Sequence, residues 1–346
     1  MRIPHGLRAA AGAAGGGGVN TYDLAIGSTT SPRIFVFEWS SGFGAKYADP
    51  ATVPSTLVYG VSFSPSGADL AVAHDSSPYV SAYPWTLGVG FGTKYSNPAT
   101  LPAGTGRCVS FSPDGNDLAV GHDNSPYVSA YPWSSGFGTK YSNPATLPPG
   151  SVNGLSFSPD GNNLALAHIS SPYVSVYPWS SGSGFGTKYA DPGTGVGSAG
   201  YSVAFSQDGS DLVVGTTSSP YIHAYAWSSG FGSKYSNPST LPSGRVQGVS
   251  FSPSGDDLAV ASSASPYLLV YQWSSGFGSK YANPATLPSA GAWNCRFTPD
   301  GNDLIATCGG SNAVAYPWSS GFGTKYADPA TTVAFAIGLD ISPVTP

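Results

Sequence analysis

Apolar and small polar residues alternate along short segments such as V-S-F-S, Val109 to Ser112, which is the period-2 signature of a half-buried strand. The segment ends in S-P-D-G-N-D, where Pro113 presets φ for a type I turn and Gly115 takes the left-handed position. D-L-A-V-G-H, Asp117 to His122, then supplies a second strand. A further turn, D-N-S-P, leads into Y-V-S-A-Y-P-W, Tyr127 to Trp133, rich in β-forming aromatics. Pro132 inside that run marks a strand end or an exposed edge. The S-S-G-F-G-T-K-Y-S-N-P stretch that follows reads as a long turn with a short outer strand. Helix signals are absent throughout.

The same text recurs along the chain. Its V-S-F-S-P aromatic falls at Phe63, Phe111, Phe157, Phe205, Phe251 and Phe297, with Ile341 standing in last, at spacings of 48, 46, 48, 46, 46 and 44. A fixed period in this range signals an array of units that bury their apolar faces only against one another. The chain opens in mid-unit: Tyr22 to Gly27 and Ser31 to Trp39 match the second and third strands. It closes on Gly338 to Pro343, which matches the first. Head and tail therefore complete a seventh unit, and a ring closed in this way leaves no open sheet edge. The predicted fold is all-β: a seven-bladed β-propeller of four-stranded antiparallel blades, its N- and C-terminal strands sharing one blade. It spans residues 19–346, behind a separate Gly/Ala-rich segment, 1–18.

F-S-P-D-G-N-D-L-A-V followed by a strand ending in Trp resembles the WD40 and WD40-like propeller family over residues 19–346. That resemblance implies seven or so four-stranded blades and a role as a scaffold for protein partners. The family's Trp-Asp dipeptide is missing, since Ser follows the Trp in six units and Thr86 follows Trp85. Its Gly-His pair is missing as well, so its hydrogen-bond relay does not carry over.

Composition narrows the chemistry. Only 9% of residues are charged, with a net charge of −5, against a usual quarter. No basic patch exists for nucleic acid. No apolar run approaches the length of a membrane helix. The N-terminus lacks the apolar core of a signal peptide. Three cysteines, Cys108, Cys295 and Cys308, sit at unrelated repeat positions, giving neither a disulfide framework nor a zinc spacing.

Five features are candidate sites. The F-G-[AST]-K-Y box occurs in all seven units, with lysines 46, 94, 140, 188, 234, 280 and 325; that regularity favours blade architecture, the lysine stem covering apolar surface. The Trp ladder, Trp39 to Trp318, reads as inter-blade packing. His74, His122 and His168 share the end of the second strand, where turn hydrogen bonding outweighs metal ligation. Acidic turns such as Asp114 with Asp117, and Asp300 with Asp303, lack calcium-loop spacing. Trp293 alone stands off the repeat register, in A-G-A-W-N-C-R, either filling the core or contacting a ligand. No catalytic motif nominates a nucleophile or base, and neither a metal nor a cofactor is predicted.

The opening M-R-I-P-x-G-L-R-x-A-A-G resembles the starts of some bacteriophage structural proteins. With Ile3, Pro4, Leu7 and Arg8 followed by glycines, it reads as an anchor for a protein partner. These features predict a non-enzymatic structural module displayed on a larger assembly, a virion capsid or tail, and located on a virion or extracellular surface. The alternatives are a secreted lectin-like propeller that binds glycans and an intracellular WD40-type scaffold.

Overall fold

The computed structural model describes residues 21–310 and 312–343. The segment 1–18, with the predicted anchor residues Ile3, Pro4, Leu7 and Arg8, lies outside the described residues.

Seven antiparallel blades form a seven-bladed propeller. Numbered by their innermost strands, blades one to seven begin with Val58–Phe63, Gly106–Phe111, Val152–Phe157, Gly200–Phe205, Val246–Phe251, Ala292–Phe297 and Ala336–Ile341. In blade two the inner strand pairs with Asp117–His122, in the register Phe111↔Leu118, and that strand pairs with Val128–Pro132. The predicted inner strand thus begins three residues too late. The fourth strand is short: Phe43–Lys46, Phe231–Lys234 and Phe277–Lys280 in three blades, and a single Trp133↔Phe137 or Trp318↔Phe322 bridge in blades two and six. Closure follows the sequence pattern: Tyr22–Ser28 pairs with Ile34–Trp39 on one side and with Ala336–Ile341 on the other. Gly115 adopts φ 75°, as the P-D-G turn requires.

Each apolar cluster is built from two adjacent blades, so no blade has a core of its own. Ala71, Val80 and Ala82 of blade one pack against Val109, Leu118, Val120 and Trp133 of blade two. Full burial of one such aliphatic side chain is worth about 1.5–3 kcal/mol, which makes the ring cooperative.

A polar clasp repeats around this core. In blades one, two, four, six and seven the aspartate at the start of the second strand accepts a tyrosine hydroxyl from its own blade and a tryptophan indole from the next. In blade five Asp257 accepts the Trp318 indole. Asp117 receives Tyr141 OH at 2.6 Å and Trp179 Nε1 at 3.0 Å; Asp211 receives Tyr235 OH at 2.6 Å and Trp273 Nε1 at 3.0 Å. The indole also packs edge-on against the Phe of the F-G-x-K-Y box, as Trp273 does on Phe277 at 5.1 Å. The box lysines fold back onto their own loops: Lys46 reaches the Tyr47 carbonyl at 3.1 Å and pairs with Asp49. Box and ladder together are the joint between blades.

Blade three departs from this rule, because Asn163 replaces the aspartate, accepting Tyr189 OH at 3.0 Å. Trp227→Phe should therefore cost under about 1 kcal/mol. Trp273→Phe, which strips a charge-assisted bond from buried Asp211, should cost roughly 1.5–3 kcal/mol. Urea unfolding of the two variants checks this, and equal costs would refute the clasp.

Candidate functional site

The seven inner strands surround a central channel of about 1080 Å³, the size range of a small-molecule site. A register irregularity between the first and third residues of each inner strand in blades one to six disturbs simple alternation. Residues two and five of the strand consequently both face the lumen.

These positions form two tiers. The mouth tier holds Tyr59, Arg107, Asn153, Tyr201, Gln247, Trp293 and Ile337, all half-buried. Three residues further along the strands, about 10 Å at ~3.3 Å per residue, lies an inner tier of four serines, Ala204, Arg296 and Asp340. Elsewhere the blades are near copies. Here they differ from one to the next, and the charges gather: of the four arginines among the described residues, Arg107, Arg245 and Arg296 line the channel and Arg33 does not. Asp340 is the one carboxylate among the lining residues. On a chain of net charge −5, this is a local positive field that draws anions inward.

Arg296 and Asp340 form the inner pair. Arg296 Nε lies 3.1 Å from Asp340 Oδ1, with the Arg296 side chain 49% exposed to the lumen and the Asp340 side chain 11% exposed. Asp340 Oδ2 accepts the backbone N–H of Phe63 at 2.7 Å, which fixes the carboxylate across the blade seven–blade one joint. Burial raises the Asp340 pKa above the ordinary carboxylate value, while Arg296 and the Phe63 N–H pull it back. A carboxylate held this way is a base of more than ordinary strength beside a cation with free donors.

At the mouth, guanidinium groups lie on aromatic faces. Arg107 sits 4.7 Å above Tyr59 and reaches Asp123 at 3.5 Å. Arg245, in the residue just before the blade five inner strand, sits 4.7 Å above Tyr201 and 5.8 Å from Trp293. Such stacking holds a guanidinium while leaving its edge free to donate. Trp293 therefore lies on the channel wall among these groups.

The histidines are elsewhere. His122 Nδ1 faces the Asn124 carbonyl at 2.8 Å and Nε2 faces Ser129 Oγ at 3.1 Å; His168 repeats this with Ser170 and Ser175, and His74 shares the serine contact with Ser81. Burial lowers each to about 4, so they are neutral packing groups. Among the described residues no three His, Cys, Asp or Glu side chains converge as a metal site. The three cysteines are free, their thiols pushed up to about 12 by burial. The acidic turns bond internally: Asp114 accepts Ser112 Oγ at 2.6 Å and Asn116 Nδ2 at 2.9 Å.

Apart from Trp293, the sequence pattern nominated none of the channel residues as a functional site. The signal was present in Arg107, Arg296 and Asp340, charged residues interrupting the otherwise neutral inner-strand text, and in Arg245 just before one of those strands.

No protein-family model and no curated protein matches the sequence. Solved structures do share the fold. A protein from Bacteroides uniformis ATCC 8492, provisionally named a 6-phosphogluconolactonase, is similar at TM-score 0.70 and 15% identity, over 93% of this chain and 99% of that one. A periplasmic gluconolactonase from Pseudomonas aeruginosa is similar at TM-score 0.68 and 17% identity, over 94% and 99% of the two chains. A Lactobacillus plantarum protein reaches TM-score 0.71 at 13% identity, over 93% and 100%. At these identities the likeness establishes the seven-bladed propeller.

Two expectations are corrected. The Bacteroides uniformis and Pseudomonas aeruginosa neighbours are lactonase-named propellers, not WD40 proteins specifically, and nothing in them links the chain to bacteriophages. Their names belong to enzymes, in conflict with the expected non-enzymatic virion module. That expectation is withdrawn, with its lectin-like and scaffold alternatives. It rested on the N-terminal segment and on the absence of a catalytic motif, whereas the charged residues that break the repeat lie on the channel wall.

Proposed function

We propose that this propeller is a hydrolase of small cyclic esters of the sugar-lactone class, with its reaction centre at Arg296 and Asp340. One observation carries the reading: in a ring of near-identical blades, sequence divergence and charge are concentrated on the channel wall, where a buried carboxylate abuts a lumen-exposed guanidinium. The names of the structural neighbours support the same class.

The chemistry is simple to assign. Asp340 takes a proton from a channel water, and the resulting hydroxide adds to the lactone carbonyl carbon. Arg296, whose Nη groups are free of the Asp340 bond, stabilises the oxyanion as it forms. The ring C–O bond then breaks, and the proton held by Asp340 passes to the leaving alkoxide. The product is the open-chain hydroxy acid, and its new carboxylate faces Arg296. The inner-tier serines supply hydroxyls for the substrate's own hydroxyl groups.

The test is hydrolysis of D-glucono-1,5-lactone in a pH-stat, against the buffer rate. The expected result is a rate proportional to protein and abolished by Ser156→Trp, which fills the channel from a lumen-facing position of blade three. A rate no greater than buffer would overturn the proposal.

A further inference from the structure

The mouth tier holds donors that the hydrolytic step does not use. Arg107 and Arg296 each have a carboxylate partner, but Arg245 has none among the described residues. One of its terminal nitrogens reaches Gln247 Oε1 at 3.3 Å. That contact orients the Gln247 amide with its oxygen toward Arg245, so its NH2 group points away. Both Arg245 Nε and Gln247 Nε2 are buried atoms with no hydrogen-bond partner. An unmet buried donor is costly, on a guanidinium especially so, and in a native structure it calls for an acceptor.

The surroundings say which acceptor. Tyr201 and Trp293 hold the guanidinium plane from blades four and six, so its edge is preorganised. Arginine appears at this repeat position in blade five alone; the other blades carry Leu57, Thr105, Ser151, Ala199, Gly291 and Phe335. A cation without a carboxylate, beside a second donor and an aromatic face, fits an oxyanion.

We infer that Arg245 and Gln247 form a subsite for a terminal oxyanion, phosphate or carboxylate, on the end of the substrate remote from its reacting carbonyl. This rests on the channel being the substrate site, and it names the substrate class more closely: a polyhydroxy lactone with an anionic far end. The tiers lie about 10 Å apart along the wall, so an extended six-carbon acid spans them with one end at Arg296 and the other at Arg245. The apolar face of its carbon chain lies against Trp293.

Three non-reactive open-chain acids test this by calorimetry on the full chain. Gluconate lacks a far-end anion, glucarate carries a carboxylate there, and 6-phosphogluconate carries a phosphate. The expected result is that at least one of the last two binds 10- to 100-fold more tightly than gluconate, the ratio expected for losing a hydrogen-bonded charge. The tighter ligand of the pair identifies the oxyanion. Arg245→Gln should erase that advantage without weakening gluconate, while Lys94→Gln, which removes the same charge from the outer rim, should keep it. Matching thermal melts establish that the Arg245 variant is folded. Equal binding of the three acids, no binding of any, or an advantage that survives in Arg245→Gln would each overturn the inference. Discrimination without lactone turnover would retain the subsite and reject hydrolysis, so the two readings fail separately.

Discussion

Asp340→Asn is expected to lower kcat/KM for lactone hydrolysis by 10²- to 10⁴-fold, the usual contribution of a positioned general base. That corresponds to roughly 3–5 kcal/mol of transition-state stabilisation. The amide oxygen can still accept the Phe63 N–H, which Asp340 Oδ2 accepts at 2.7 Å, so the blade seven–blade one joint survives. The amide NH2 then faces Arg296 Nε, donor against donor, and the base is gone. A purely structural Asp340 would give the reverse pattern, with a lowered Tm and an unchanged rate. In the wild type the rate should climb with pH through an ionisation above the ordinary carboxylate range, since burial raises Asp340 and only the ionised form can accept the water's proton. A pH profile of kcat/KM on the two proteins checks both points. A flat profile, or full activity in Asp340→Asn, contradicts the assignment.

The second large effect is acid instability. His74, His122, His168 and His223 are buried, with pKa values lowered to about 4, while an unfolded histidine titrates near 6.5. A depressed histidine contributes stability that is present above the unfolded value and lost as pH falls toward the folded one. The window is therefore pH 6.5 down to 4. Each group contributes on the order of 3 kcal/mol over that span. Four together amount to about 12 kcal/mol, comparable with the whole stability of an ordinary domain. Asp23 and Asp340 act in opposition, because burial raises them and their protonation favours the fold at low pH, whereas the turn carboxylates Asp114, Asp160, Asp208 and Asp300, which lie below the ordinary value, act with the histidines. Thermal melts should show Tm falling continuously from pH 7 to 4.5. The four ring resonances should not titrate between pH 8 and 5 by NMR. A Tm unchanged across that range, or rings titrating near 6.5, would count against it.

The sequence carried the scaffold well and the site poorly, for physical reasons. A blade is a local object: Pro113 and Gly115 fix its turn, alternation marks its strands, and the half-units at Tyr22 and Ile341 announce closure. The clasp was legible in part, because Asp117, Tyr141 and Trp179 recur at fixed spacing. That the aspartate joins its own blade's tyrosine to the next blade's tryptophan depends on how blades lie side by side, which spacing does not encode. The channel was the hardest to read. Inner-strand residues two and five both face the lumen only because the register shifts near residue two, and strict alternation would put them on opposite faces. Arg107, Arg245, Arg296 and Asp340 also come from four different blades, so no window of sequence gathers them. Trp293 was noticed as standing off the repeat register, yet it occupies the same inner-strand position as Tyr59 and Tyr201. Read with the same attention, Arg296 and Asp340 replacing serines would have stood out beside it.

The histidines show the opposite case. Their recurrence suggested a shared site, yet each is separately enclosed by its own blade, with a serine of the neighbouring strand as partner for His74, His122 and His168. Regular recurrence in this chain marks architecture, and departure from it marks the channel.

The most direct test of the channel as the substrate site is a crystal structure of the protein grown with 6-phosphogluconate. The account predicts one molecule within the channel, its C1 carboxylate at Arg296 and its phosphate against Arg245 and Gln247, with Trp293 along the carbon chain. A ligand bound on the outer face of the blades, with the channel holding only water, would contradict it.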